Sequence, residues 1–438
     1  MNGISVYVHT LGCSKNQVDS EEIMGELVSR GFSVEADPES AEVIIVNTCG
    51  FIESAKTESL DAVFSLAQLK ESSCRLLVVC GCLSERYYDE LKAELPEADL
   101  IWGVKDHKGL ADAVEQRLFG EFTKPSVCPG RVLTTPPWRA YLRIADGCDN
   151  RCTYCAIPLI RGGRVSVPME KLIDEARCLA ESGVKELTVI AQDTSAYGID
   201  LYGKPMLAEL LTELSKIEKL KWVRLLYTYP NTVDERLIDT INGDPKLMNY
   251  IDMPIQHIDP ELLLRMNRHG TAEHIREITD YIRSVSPDFI LRTTAIVGFP
   301  GETEEQFEEL LSFFRDHPFD RLGAFTYSAE DGTPASEMPD QIPEKVKKSR
   351  YSRLMRAQMA VSLAANKRRI GTACDALVDE IRGDTALCRS YAEAADVDGF
   401  IKVRLPANSG VSCGDFISVR ITGADVYDLT AEMINTEV

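Results

Sequence analysis

Three cysteines crowd the stretch GCDNRCTYC at 147–155, where Cys148, Cys152 and Cys155 fall within eight positions. Three ligands are one too few for a structural tetrahedral zinc, and three thiols cannot all pair as disulfides. Soft thiolates in a CxxxCxxC loop suit iron–sulfur ligation instead. A four-iron cube takes four thiolates, so three leave one iron open to another molecule. A zinc knuckle would have to borrow a distant ligand, and the nearest histidines are His107 and His257. The blandest alternative is three unliganded thiols on a polar loop beside Asp146, Asp149, Asn150 and Arg151.

A second trio is dispersed. Cys13, Cys49 and Cys82 lie 36 and 33 residues apart, yet each sits just past an apolar run, in VHTLGC, IVNTC and VVCGC. The C-terminal ends of parallel strands share one edge, so three post-strand loops can converge there on a second cluster. Free cysteines are also common as small buried residues, and spacing does not choose between the two readings. Cys80 competes with Cys82: it extends the apolar run LLVV, whereas Cys82 follows Gly81 into the loop. Cys74, Cys128, Cys178, Cys374, Cys388 and Cys413 show no ligand spacing and read as structural.

The elements that must position these thiols are legible as alternating patterns. Residues 1–120 alternate apolar strands (4–10, 42–48, 75–81, 99–104) with helical periodicity such as Leu60, Val63, Phe64 and Ala67, which predicts a parallel α/β sheet. Residues 121–138, with four prolines and two glycines in the 120–138 stretch, read as a linker. From 139 to 343, six strand candidates (140–146, 186–193, 222–229, 250–256, 290–298, 321–327) separated by helices predict a (β/α)6-type partial or complete barrel. Its chemistry belongs at the strands' C-terminal ends. A basic helix (344–370) connects to a small all-β domain at 371–438, expected to be a five-stranded barrel.

Composition bounds the rest. About three domains fit 438 residues at roughly 150 residues each. No apolar stretch reaches the ~18 residues of a membrane span, and MNGISVYVHTLGC lacks the basic start of a signal peptide, so a cytoplasmic protein is expected. Thirteen cysteines in a reducing compartment are better as metal ligands and buried thiols than as a disulfide framework. A net charge of −21 argues against an electrostatic grip on nucleic acid and for basic partners or small ligands.

CxxxCxxC after a first barrel strand resembles the radical S-adenosylmethionine (SAM) enzymes, and the extension CTYCAIPLIRGGRVS (152–166) resembles their methylthiotransferase branch. TLGCSKNQVDSE (10–21), NTCGFIESAK (47–56) and CGCLSER (80–86) resemble that branch's N-terminal domain around all three dispersed cysteines, and they favour Cys82 over Cys80. The resemblance implies two 4Fe–4S clusters, one on Cys148, Cys152 and Cys155 that cleaves SAM reductively, and an auxiliary one on Cys13, Cys49 and Cys82 that supplies or relays sulfur. It further implies cofactor contacts at Gln192 and Asp193 in AQDTSAYG and at Gly298 and Gly301 in AIVGFPGETEEQ. Apart from the cluster ligands, no catalytic residue is assigned. Val167 departs from the pattern, which usually has Arg there.

Members of the branch differ in substrate: a transfer-RNA adenosine, or the β-carbon of an aspartate in the twelfth protein of the small ribosomal subunit. Both resemble this chain in carrying a C-terminal TRAM barrel, an OB-like fold. Residues 371–438 hold twelve acidic and five basic residues, a net of −7, which is complementary to a basic ribosomal protein and wrong for RNA. The helix at 344–370, with nine Lys/Arg against one acidic residue, is the one place where RNA could be held. NTCGFIESAKTESLD, DMPIQHIDPELLLRMNR and AFTYSAEDGTPA resemble the ribosomal-protein enzymes more than the transfer-RNA ones. The expected function is therefore aspartate methylthiolation, with an external electron donor and a sulfur source as partners. A transfer-RNA methylthiotransferase and a non-catalytic iron–sulfur or zinc ribosome-binding scaffold are the alternatives.

Overall fold

A computed structural model describes residues 3–121, 130–407 and 409–434. Residues 122–129 of the expected linker, with Cys128, lie outside the described residues. The chain's contacts divide into two compact units. The first joins residues 1–135 to two distant segments, 146–165 and 328–336; the second holds 136–145, 166–327 and 337–438.

The first unit is built on a five-stranded parallel sheet of β1 (Ser5–Thr10), β2 (Ser33–Val34), β3 (Val43–Thr48), β4 (Leu76–Gly81) and β5 (Leu100–Ile101), in the order β2-β1-β3-β4-β5. Helices α1 (Ser14–Val28), α2 (Glu53–Ala67), α3 (Cys82–Arg86), α4 (Tyr88–Glu94) and α5 (His107–Phe119) connect the strands. Every residue of β3 and β4 is buried, because helices cover both faces of the sheet. Leu76, Val78 and Cys80 pack with Ile23 and Leu27 of α1 and Val114 of α5, while Leu77 and Val79 face Val63 of α2. This period of two decides which residues belong to which core. The short β2 went unread in the sequence, since two exposed residues leave no pattern.

In the second unit, six parallel strands form two three-stranded sheets. One contains β6 (Arg139–Arg143), β7 (Glu186–Ile190) and β8 (Trp222–Leu225); the other contains β9 (Tyr250–Asp252), β10 (Ile290–Val297) and β11 (Arg321–Thr326). All six occupy expected positions, with shorter C-terminal ends than the apolar runs implied. C-terminal to them, β12 (Ala373–Arg382), β13 (Thr385–Arg389), β14 (Ile401–Arg404), β15 (Phe416–Ala424) and β16 (Leu429–Met433) close the expected five-stranded barrel around Val378, Ile401, Val403, Val419 and Ile421. The architecture is thus a parallel α/β domain, a radical-SAM-type (β/α)6 arrangement and a small β-barrel.

Candidate metal centres

The dispersed trio lies at one edge of the first sheet. Thr10 pairs with Asn47 and Thr48 with Gly81, so β1, β3 and β4 end side by side and Cys13, Cys49 and Cys82 all enter the loops beyond them. Strand order reverses between β1 and β3, and the carboxyl ends at such a switch point are where doubly wound sheets bind ligands. Cys13 is the exposed N-cap of α1 and Cys82 the first residue of α3. Glycines bring the loops together: a Cβ on Gly12 would stand 3.0 Å from Cys49 Sγ, and one on Gly50 would stand 2.7 Å from Leu83 Cα.

Buried polar side chains fix the three loops. Asn16 Nδ2 donates to the carbonyls of Leu11 and Thr48, each at 3.0 Å, and so ties the loop after β1 to the end of β3. Ser59 Oγ of α2 accepts the Cys49 N–H at 2.9 Å and donates to the Cys49 carbonyl at 3.0 Å. Cys82 Sγ donates to Asn16 Oδ1 at 3.3 Å. Burial raises the Cys49 thiol pKa and pushes Cys82 up to about 12, against the lowering pull of Arg161. Such thiols stay protonated alone; a bound metal strips the proton and makes them ligands. Cys80, by contrast, is fully buried inside β4 among apolar side chains.

The compact trio sits in the 146–165 segment, which belongs to the same unit. Cys152 is buried and Cys148 and Cys155 are half-buried. Its two ends close on each other: Cys148 N–H donates to the Gly162 carbonyl at 3.1 Å, and a Cβ on Gly147, at φ 73°, would meet the Gly163 carbonyl oxygen at 2.2 Å. Arg151 takes φ 48°, and the Cys155 N–H closes a turn onto the Cys152 carbonyl at 3.0 Å. Beyond the cysteines, α6 (Ile157–Ile160) packs Ala156 and Ile160 against Cys82 and Val104.

From the end of α6, the Arg161 guanidinium reaches into the edge that carries the dispersed trio. Its Nη2 donates to Asp19 Oδ2 at 2.6 Å, to Asn16 Oδ1 at 2.8 Å and to Cys82 Sγ at 3.5 Å, and Nη1 donates to Asp146 Oδ1 at 3.0 Å. Sequence reasoning missed Arg161, Asn16, Asp19 and Ser59. All four fall inside stretches that carried the family resemblance, and that was the available signal.

Three soft thiols in each set are donors of the kind an iron–sulfur cube takes. Among the described residues, neither trio has its sulfurs drawn within 4.8 Å of one another and of a further His, Cys, Asp or Glu ligand atom, as a single ion requires. A cube spreads its thiolates over separate corners. Among the described residues, His107 groups with Asp19 and Glu22, their ligand atoms within 4.8 Å of one another, and not with either cysteine trio. His107 lies between Glu22 Oε2 (2.9 Å) and Asp19 Oδ1 (3.5 Å), and His257 lies in the other unit, 3.3 Å from Glu302 Oε1. Of the cysteines read as structural, Cys74 and Cys388 are buried and Cys374 is half-buried; Cys178 and Cys413 are exposed, so packing does not account for them.

The expected cofactor contacts all lie in the second unit. Asp193 is buried, and its Oδ1 accepts from Ser195 Oγ at 2.8 Å and the Ala196 N–H at 3.2 Å, which shapes the loop after β7; Gln192 beside it is half-buried. Gly298 and Gly301 take φ 75° and 76° in the turn after β10. A Cβ on Gly298 would meet Lys347 Cγ at 2.3 Å and one on Gly301 only the tip of Arg265, but both φ values are ones L side chains rarely adopt, so the backbone favours glycine at both. Glu302 binds this turn together: its Oε2 accepts from the Gly298 N–H and from Arg350 Nη1, the latter at 2.7 Å. Val167, where the pattern usually has Arg, is held through its backbone: its N–H donates to the Ile144 carbonyl at 2.9 Å and its carbonyl accepts from the Tyr197 hydroxyl at 2.8 Å.

The basic helix α7 (Glu344–Arg368) is half neutralised within its own unit. Lys347 meets Glu344, Arg350 meets Glu302 and Glu304, Arg353 meets Glu304 and Glu308, and Arg368 meets Asp320, so four of its cations are neutralised by carboxylates of its own unit. The other four, Lys345, Lys348, Arg356 and Lys367, are exposed.

Comparison with known proteins places this geometry. Residues 142–314 match the radical SAM superfamily, residues 5–103 the uncharacterized protein family UPF0004, and residues 370–434 the TRAM domain. The radical SAM methyltransferase TsrM of Kitasatospora setae shares the architecture at TM-score 0.58 and 14% identity, over 82% of this chain and 89% of that one. Ribosomal protein uS12 methylthiotransferase RimO of Caldicellulosiruptor saccharolyticus is 44% identical across 97% of this chain and 98% of its own length; that of Geobacter sulfurreducens is 45% identical, over 97% and 98%. The chain belongs to the RimO family of methylthiotransferases.

Proposed function

We propose that this protein is a radical SAM enzyme that adds a methylthio group to the β-carbon of one aspartate in ribosomal protein uS12. The observation that carries the reading is near-full-length identity with uS12 methylthiotransferases at 44–45%. Residues 1–120 form the auxiliary-cluster domain, 139–343 the radical SAM domain, and 371–438 the substrate-facing barrel, with 121–138 and 344–370 as connections. Cys148, Cys152 and Cys155 hold one 4Fe–4S cluster and leave an iron open; Cys13, Cys49 and Cys82 hold a second. When bound, the first cluster supplies the electron that splits SAM to a 5′-deoxyadenosyl radical, and the second supplies or relays sulfur. Gln192, Asp193 and the Gly298–Gly301 turn bind and orient SAM, and Glu302 with Arg350 keeps that turn rigid. The electron donor and the sulfur source are external, and the work is done in the cytoplasm, where ribosomes are made.

The C-terminal barrel supports a protein substrate. Each of its five cations is already engaged: Arg382 with Glu380, Arg389 with Asp379, Lys402 with Asp428, Arg404 with Asp384, and Arg420 with the Gly371 carbonyl. What remains is a net negative surface suited to a basic ribosomal protein. The test is anaerobically reconstituted enzyme with SAM, reductant, sulfide and either uS12 or transfer RNA. One methylthio group on one uS12 aspartate is expected. Modification of the transfer RNA, or no 5′-deoxyadenosine from either, overturns the proposal.

A further inference from the structure

We infer that Arg161 is a positioning residue for the dispersed trio: rooted in the loop of Cys148, Cys152 and Cys155, it orients Cys82 and stabilises negative charge on the cluster that Cys82 would help to hold. The inference rests on the two-cluster reading above. Its first support is placement. Arg161 is 5% exposed, and its Nη2 lies 3.5 Å from Cys82 Sγ within the contact range of a sulfur acceptor. Its second is fixity. Asp19, Asn16 and Asp146 hold both terminal nitrogens, and Asp19 is itself braced by His107, so the guanidinium cannot swing away to water. Its third is sign. The side chain that reaches Cys82 Sγ at 3.5 Å is a cation, and a cation beside a ligand sulfur favours the more negative state of what that sulfur holds.

A cube held by Cys13, Cys49 and Cys82 would supply redox chemistry, and its reduced state would carry more negative charge beside Arg161. Hydrogen bonds to cluster sulfurs and nearby charge set where such states fall in energy, and a partner that touches a ligand orients it as well. A guanidinium in a water-poor edge is the group that lowers their cost. The same side chain could serve only as a staple between the two cysteine loops. A staple depends on the forked shape of Arg; the electrostatic role depends on its charge.

The test uses the full-length chain with Cys148, Cys152 and Cys155 all changed to Ala, so that only the dispersed trio reports. Iron content, a potentiometric titration and the paramagnetic spectrum of the reduced cluster are read. About four irons per chain should bind. If this parent binds none, the two-cluster reading itself fails. With iron bound, Arg161→Gln should lower the midpoint potential so that, at the parent's midpoint, the ratio of reduced to oxidised cluster drops about tenfold, which corresponds to about 59 mV for one electron. Arg161→Lys should restore most of it. Asp19→Asn, which removes a counter-charge, should shift the potential the opposite way, and it carries the test should Arg161→Gln fail to fold. Unchanged potentials in the variants that bind iron, or shifts of one sign in Arg161→Gln and Asp19→Asn, overturn the inference.

Discussion

Glu186 tests how the second unit is held together, and its effect can be worked out from the structure. It opens β7, is fully buried, and accepts from Arg224 Nε at 3.0 Å and Arg389 Nη2 at 2.7 Å. Arg389 also meets Asp379 Oδ1 at 3.1 Å, whereas Arg224 spends its other nitrogens on the carbonyls of Tyr391 (2.7 Å) and Ser390 (3.1 Å). Burial alone would raise the Glu186 carboxyl, yet the two guanidiniums hold it at about 2, below the usual 4.5. At about 1.4 kcal/mol per pH unit, that depression contributes about 3 kcal/mol to folding at neutral pH. The unfolded chain takes up its proton first as the solution is acidified. The contribution is therefore complete above pH 4.5, shrinks below it, and is gone near pH 2.

Glu186→Gln removes this charge and leaves Arg224 without a carboxylate. Removing one member of a buried ion group typically costs about 3–5 kcal/mol, so denaturant unfolding should show a loss of about that size at pH 7, narrowing as pH falls below 4.5. Replacing Glu186, Arg224, Arg389 and Asp379 together by uncharged residues should destabilise less than the single change, because no charge is then stranded. Catalytic loops spring from the C-terminal ends of such strands, and Glu186 lies at the opposite end. The yield of 5′-deoxyadenosine per folded molecule should therefore not change. A single variant within about 0.5 kcal/mol of the parent, or one that folds stably but cleaves no SAM, would refute this account of the network.

Cys82→Ala should lose about four of roughly eight irons on elemental analysis, while Cys80→Ala keeps them all and loses only about 1 kcal/mol of stability from its missing core contacts. Arg350→Met frees the Glu302 carboxylate that holds the Gly298 turn, and equilibrium dialysis should show SAM binding weakened about tenfold, or about 1.4 kcal/mol. Asp375→Lys with Glu432→Lys, both on exposed barrel positions, should raise KM for uS12 about tenfold at low salt and much less at high salt, with SAM cleavage in the absence of uS12 unaffected.

Much of the scaffold was legible because burial leaves a pattern. VIIVNT and LLVVCG read as strands covered on both faces, and both are buried throughout. The barrel at 371–438 announced itself by alternation, as in IKVR with its buried Ile401 and Val403. Less legible was the grouping of segments 146–165 and 328–336 with the N-terminal residues, since it rests on pairs such as Arg86 with Glu330, 244 positions apart, which no local periodicity reports.

The candidate site was readable where chemistry is carried by residue type, and opaque where it is carried by position. Cysteines are rare enough that their place after a strand is itself a signal. The face that supports them carries no such mark: Lys15, Asn16, Asp19, Ser20 and Glu21 of α1 are all buried, although an amphipathic reading would send every one of them to solvent. Each shown partner explains the exception. Asn16 fastens two strand ends, Asp19 holds Arg161, Ser20 accepts from Asn47 Nδ2 at 2.9 Å, and Glu21 receives Arg131 and Thr134. A helix buries that much polarity only when each group finds a bond, because an unmade one costs about 1–3 kcal/mol. SKNQVDSE therefore breaks helical amphipathicity at the point where the sheet edge must hold three thiols in place, and a polar helix start right after a strand-end cysteine is a sign of a ligand site that hydrophobic periodicity alone would discard.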